Sequence, residues 1–184
     1  AKYAVASSFA QPVRTGWADL LLNCFSPFAQ EEFLRVLRPG GVTPDQLRAV
    51  LGEVEIDKAV FKALESGEKV LSPGMKYKHY SPNAHVIIVK GDFDKFASLV
   101  AEPRSERTCA VCFDGEEDRI SVPAYPYGHA DSPEEQAREL FDVLRHVDDE
   151  KMELAFVRFP SLDGVGMAVY NRLLRAAGFE VIEL

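Results

Sequence analysis

Between Lys69 and Gly91 the chain carries no carboxylate, while Lys69, Lys76, Lys78, His79, His85 and Lys90 all fall inside that stretch. Its centre, Ser72-Pro73-Gly74-Met75-Lys76-Tyr77-Lys78-His79-Tyr80-Ser81-Pro82, holds the residue types that recognise a phosphorylated, aromatic ligand. Two ammonium groups attract phosphate oxygens, the Tyr and His rings offer stacking surfaces and polar hydrogens, and the prolines and glycine hold the backbone extended. A solvated tether can have the same composition, so it is the order of the residues that singles this segment out.

The other chemistry-bearing residues read more plainly. Cys109-Ala110-Val111-Cys112 has the spacing of a redox or metal pair. On a strand, however, positions three apart point to opposite faces, and no second pair follows, so these are core cysteines. Gly164-Val165-Gly166 ahead of a helix would offer free amides to an anion. It lacks the third glycine and the downstream acidic residue of a dinucleotide fingerprint and reads as an ordinary helix start. His129, after Tyr127-Gly128, and His146, on an acidic helix, stand alone as structural or solvated groups, and Glu116-Glu117-Asp118 is a solvated loop. No catalytic residue and no metal site is expected.

The elements that must position these residues alternate from Ala84 onward. The apolar run Val86-Ile87-Ile88-Val89 is a strand, residues 92–100 a short helix and residues 108–113 a second strand ending at Asp114-Gly115. Residues 116–127 form a loop with a short strand at Ile120-Ser121-Val122. Ser132-Pro133-Glu134-Glu135 supplies a cap, a proline at the first helical position and first-turn acids, opening a helix with Ala137, Leu140, Phe141 and Leu144 on one face. Residues 154–157 are a strand, 166–177 a helix closed by Gly178, and 179–182 a last strand. Short apolar strands alternating with helices specify an α/β fold, a Rossmann-like parallel sheet with flanking helices. Before Ala84, Thr43-Pro44-Asp45-Gln46 starts a helix that Gly52 stops, and residues 57–66 form a second that Gly67 stops. Residues 71–82 fit no periodic template and are a linker. The first forty residues read as strand at 3–6, strand at 19–25 and helix at 27–37, stopped by Arg38-Pro39-Gly40-Gly41.

Of 184 residues, 47% are hydrophobic and 27% charged, enough to bury a real core, so disorder of the whole is excluded. The net charge of -8 argues against a broad nucleic-acid or anionic-membrane surface. The acidity is concentrated late: residues 84–184 carry eleven cations against twenty anions. No apolar run approaches the ~20 residues of a membrane span, and no signal peptide opens the chain, so a cytoplasmic protein is expected. Three cysteines cannot make a disulfide framework and fit a reducing compartment.

The linker resembles the interdomain motif of the long, two-domain threonylcarbamoyl-AMP synthases, whose N-terminal YrdC-like domain makes threonylcarbamoyl-adenylate for tRNA modification. Leu37-Arg38-Pro39-Gly40-Gly41-Val42-Thr43, with Gln46-Leu47 and Leu51-Gly52, resembles the end of that catalytic domain. Gly164-Val165-Gly166-Met167-Ala168-Val169-Tyr170-Asn171-Arg172-Leu173, with Ala176-Ala177-Gly178-Phe179, resembles the end of the family's small C-terminal domain. The match runs over residues 36–184. It implies an enzyme that joins threonine, bicarbonate and ATP (with Mg) in tRNA threonylcarbamoyladenosine biosynthesis, with ATP and L-threonine as partners and other tRNA-modification proteins as possible ones. By the same resemblance Arg38 and Tyr77 touch the ATP, and Lys76, His79 and Tyr80 complete the linker's contact surface. An arginine suits a bidentate phosphate contact, and a tyrosine can stack or donate.

Nearly all of the family's catalytic domain would precede Leu37, where this chain has 36 residues. Those residues resemble a class I methyltransferase instead, closest to the ribosomal RNA guanine methyltransferases. The resemblance rests on Tyr3-Ala4-Val5-Ala6-Ser7-Ser8, Pro12-Val13, Ala18-Asp19-Leu20-Leu21-Leu22, Phe25-Ser26-Pro27 and Glu31-Glu32-Phe33-Leu34-Arg35-Val36. The glycine-rich turn that would hold S-adenosylmethionine is missing. The expected organisation is a methyltransferase-like fragment at 1–41, a helical remnant of the catalytic domain at 42–67, a linker at 68–83 and the Rossmann-like domain at 84–184. A junction at Leu37-Arg38-Pro39-Gly40-Gly41, which suits both families, explains it. Such a chain would bind no cofactor and be inactive alone. The alternatives are a non-catalytic docking or regulatory module and a remnant of an S-adenosylmethionine-dependent RNA methyltransferase.

Overall fold

The computed structural model describes residues 35–36, 40–62, 81–102 and 107–184. Of the two units into which the chain divides, Ala1–Phe33 lies outside the described residues, and with it the strands expected at 3–6 and 19–25. Everything below concerns the unit Leu34–Leu184.

Its first part is a small βαβ arrangement. Strand β1 (Arg35–Val36) pairs in parallel with β2 (Glu55–Ile56), and helix α1 (Pro44–Leu51) lies between them in sequence. The expected cap is present: the Gln46 N–H donates to the Thr43 Oγ1 at 3.2 Å, and the Thr43 N–H to the Gln46 Oε1 at 2.9 Å. Helix was expected through Leu37, yet Arg35–Val36 is strand, because pairing with a segment twenty residues on overrides local preference. Of the helix expected at 57–66, one 3₁₀ turn, Lys58–Val60, is described.

The second part is a five-stranded parallel sheet. Its strands are β3 (His85–Lys90), β4 (Thr108–Cys112), β5 (Ala124–Pro126), β6 (Leu154–Arg158) and β7 (Val181–Glu183). They stand in the order β5-β4-β6-β3-β7. Helix α2 (Phe93–Ala101) follows β3, α3 (Pro133–Asp149) follows β5 and α4 (Gly166–Ala176) follows β6. The middles of β3, β4 and β6, Val86 to Val89, Cys109 to Val111 and Ala155 to Val157, are continuously apolar because both of their faces are covered. Val86, Ile88, Cys109, Val111, Ala155 and Val157 face Leu140, Val143, Leu144 and Val147 of α3 and Val169, Leu173 and Leu174 of α4. The alternate residues Ile87, Val89, Ala110 and Phe156 face Phe96 and Val100 of α2. The strand expected at 120–122 forms instead at Ala124–Pro126. Ile120 and Val122 pack onto the α2 face, and the edge position of β5 tolerates its terminal proline. No helix among the described residues is long and apolar enough to cross a membrane.

The chain leaves β3 toward one face and β6 toward the other, although the two strands are neighbours. At the carboxyl ends of these strands lies Arg158. Its Nη1 donates to the Gly91 carbonyl at 2.8 Å, its Nε lies 3.2 Å from both Glu116 carboxylate oxygens, and its Nη2 is 3.2 Å from Oε1. Glu116 Oε2 also accepts the Phe113 N–H at 3.0 Å. The rings of Phe96 and Phe113 both lie 5.4 Å from the guanidinium. The buried Tyr127 stacks on Phe113 and donates its hydroxyl to the Arg158 carbonyl at 2.9 Å. The two charged side chains are only 12% and 17% exposed, so each depends on the other for what water would supply. Arg158→Met should therefore strand the Glu116 charge and cost about 2–4 kcal/mol, a fall in Tm of roughly 5–12 °C for a chain of this size. Thermal denaturation should show the double variant Arg158→Met/Glu116→Gln recovering more than half of that loss. An equal loss in both variants would assign the effect to packing alone.

Candidate functional site

The five residues expected to meet a ligand, Arg38, Lys76, Tyr77, His79 and Tyr80, lie outside the described residues. What the structure describes is the chain ahead of the linker, up to Lys62, and the linker's last residues from Ser81. On the near side, the Lys58–Val60 turn ends with the Val60 carbonyl accepting the Asn171 side-chain amide at 2.6 Å. On the far side, the Ser81 hydroxyl donates to the Arg175 carbonyl at 3.4 Å, and the Asn83 N–H to Asp148 at 2.7 Å. Beside this return point is a cavity of about 440 Å³ lined by Ser81, Pro82, Phe141, Leu144, Arg145 and Asp148. Its apolar wall, with one charge of each sign at the rim, suits an amphipathic segment or a flat organic group better than a polyanion.

At the carboxyl ends of β3 and β6, where open α/β sheets usually bind ligands, stand Arg158 and Glu116 with Phe93, Phe96 and Phe113 around the guanidinium. Gly164-Val165-Gly166 is a helix start as expected. A Cβ on Gly166 would lie 2.3 Å from the Ser161 carbonyl oxygen, so the glycine is required by the close approach of that loop. Cys109 and Cys112 are buried, and desolvation pushes both thiols up to about 12, with Glu116, Glu117 and Asp114 adding to the rise at Cys112. They are core residues, as their strand position implied. His146 packs edge-on against Tyr125 at 4.8 Å.

His129 is not solitary. Its Nδ1 lies 2.8 Å from Glu135 and 3.4 Å from Asp114, and the Glu135 carboxylate also takes the His129 backbone N–H at 3.2 Å. Gly128 makes this approach possible: it sits at φ +108°, and a Cβ there would come within 2.9 Å of the Gln136 nitrogen. The three ligand atoms lie within 4.8 Å of one another, a spacing that a divalent cation accepts, but the imidazole and the carboxylates already satisfy one another as an exposed ion pair. The Glu135 hydrogen bond and charge, then Asp114, hold His129 above its ordinary 6.5, and the His129 side-chain and backbone donors hold Glu135 below 4.5. The stabilisation from His129 is complete below 6.5 and lost as pH rises through its raised value. That from Glu135 is complete above 4.5 and lost as pH falls through its lowered value. A proton-NMR titration should place the His129 midpoint above 6.5, and Glu135→Gln should lower it more than Asp114→Asn. A midpoint unmoved by Glu135→Gln would contradict this pairing.

Sequence reasoning passed over Arg158 and Asn171. The signals were a guanidinium closing an apolar strand, and one amide within the apolar stripe of α4.

Residues 42–178 match the family described as threonylcarbamoyl-AMP synthase, C-terminal domain. The chain is 36% identical to the threonylcarbamoyl-AMP synthase of Pyrococcus abyssi over 81% of its own length and 44% of that protein. It is 34% identical to the Bacillus subtilis threonylcarbamoyl-AMP synthase over 93% of its own length and 48% of that protein. Among solved structures, P. abyssi Sua5 complexed with L-threonine resembles it with a TM-score of 0.67 and 33% identity, covering 82% of this chain and 44% of that one. A P. abyssi Sua5 variant with an adjacent His and Tyr both changed to Ala gives a TM-score of 0.69 at 33% identity, over 82% of this chain and 43% of that one. The chain thus spans about half the length of the curated relatives it matches. With the family match over most of its residues and the parallel sheet shared with these neighbours, the chain belongs to the threonylcarbamoyl-AMP synthase family.

Proposed function

We propose that the chain is the linker and C-terminal part of an L-threonylcarbamoyladenylate synthase, which joins threonine, bicarbonate and ATP to form threonylcarbamoyl-AMP for tRNA threonylcarbamoyladenosine. The match of residues 42–178 to the family's C-terminal domain carries this reading. The solved P. abyssi complex supports L-threonine as the amino-acid substrate. In the proposed organisation residues 84–184 are the sheet domain and residues 68–83 the linker, whose Tyr77 meets ATP together with Arg38 and whose Lys76, His79 and Tyr80 complete the contact surface. His79-Tyr80 is the one place in this chain where Tyr follows His, and the P. abyssi variant with an adjacent His and Tyr replaced lends that pair weight. Cytoplasmic location and contact with other tRNA-modification proteins belong to the same reading.

Two observations bear on the first forty-one residues. The alignment with the B. subtilis synthase takes in 93% of the chain, which cannot be placed without including much of residues 1–41. The pairing of Arg35–Val36 with Glu55–Ile56 also crosses the expected junction. Both favour a synthase-like chain from Arg35 onward over a methyltransferase remnant that reaches Gly41.

By the family resemblance, the pocket that aligns threonine, bicarbonate and ATP is built from sequence preceding the position of Leu37. The chain by itself should then release no pyrophosphate in response to threonine and bicarbonate, since alignment of the reactants supplies much of such a rate. When the N-terminal half of the P. abyssi synthase is joined ahead of Leu37, the chimera should form adenylate. Tyr77→Ala and Lys76→Ala should each slow it by about 5- to 150-fold, the equivalent of losing a desolvated, charge-assisted contact of roughly 1–3 kcal/mol. Circular dichroism of both variants should match the parent. Parental rates in both would leave the chain as a passive docking module.

A further inference from the structure

The described segments on either side of the linker end on one helix. Val60, before it, is fully buried, and its carbonyl accepts the side-chain amide of Asn171, which is itself 3% exposed. Ser81, near its far end, meets the Arg175 carbonyl. Positions 171 and 175 are four residues apart on α4, about 6 Å along the axis and on the same side of the helix. Residues 61–80, fully extended, would span roughly 66–72 Å.

We propose that α4 anchors the chain on both sides of the undescribed part of the linker, with Asn171 as the positioning residue that fixes the turn ahead of it and the Arg175 turn taking its return at Ser81. A buried carbonyl and a buried amide each need a partner, and here each is the other's. The amide serves that purpose only while the segment ending at Val60 is docked, so α4 carries a socket for the end of the preceding βαβ unit rather than a self-contained core position. Asn83, held by Asp148 at the end of α3, secures the far end a second time. The consequence is a fixed footing: the turn that precedes the linker is held by the C-terminal sheet domain and not by the preceding unit alone. This anchorage would stand even if the linker met no nucleotide, so its test and the pyrophosphate test above can fail separately.

The test is hydrogen exchange on the intact 184-residue chain, read at single amides. The amides of Val60, Phe61 and Lys62 donate to Asp57 and Lys58 within the turn and report whether it stays docked. In Asn171→Ala they should exchange about tenfold faster or more, while the amides of Ile88, Val111 and Phe156 in the sheet stay within about twofold of the parent. Because Asn171 lies in the core layer of α4, a second variant attacks the contact from its other side. Val60→Asp puts a charge into the socket and leaves the helix untouched, and it should release the same three amides. Parental exchange at residues 60–62 in both variants would overturn the proposal. So would a loosening of the sheet by the same factor, which would make Asn171 an ordinary core residue.

Discussion

Much of the C-terminal domain depends on one enclosed ion pair, Arg158 with Glu116. The guanidinium touches the end of β3 through Gly91 and the loop after β4 through Glu116, while the backbone carbonyl of the same residue takes the hydroxyl of Tyr127 just after β5. The ends of three strands and the start of α2 thus meet at one residue, whose side chain must stay paired, since neither charge has enough water to stand alone. The pair stands at the carboxyl ends of β3 and β6, where open sheets of this kind usually hold a ligand.

The helices have different duties. Helix α2 covers one face of the sheet and serves packing. Helices α3 and α4 cover the other face, and beyond packing they receive the chain on both sides of the linker, at Asn171, Arg175 and Asp148. A sheet fixed at its carboxyl end by Arg158 and clothed on that face by α3 and α4 is a stiff platform for whatever is carried at its amino-terminal end.

The sheet domain was legible in the sequence where local signals and burial agree. The run of β-branched residues at Val86-Ile87-Ile88-Val89 is a central strand, the Ser132-Pro133 start and the Gly178 stop bound their helices within a residue or two, and Cys109 and Cys112 are buried. It was illegible where distant contacts decide. Arg35–Val36 becomes strand only because Glu55–Ile56 arrives beside it, and the Ile120-Ser121-Val122 alternation, a fair strand pattern, is spent on covering the α2 face. His129 looked solitary because Asp114 and Glu135 come to it through a glycine turn and a helix start. Asn171 and Arg158 carry their meaning in partners 111 and 42 residues away, which no periodicity shows. The expected ligand residues were legible only as a family motif, and they fall outside the described residues.

The burial of Cys109 and Cys112 on β4 gives the protein a built-in clock. With both thiols held to about 12, almost no thiolate is present at neutral pH, and no reagent reaches the sulfur while β4 is paired on both sides. Alkylation at these two positions then requires an opening of the layers that cover β4, so its rate reports openings of the sheet or of the helices packed on it.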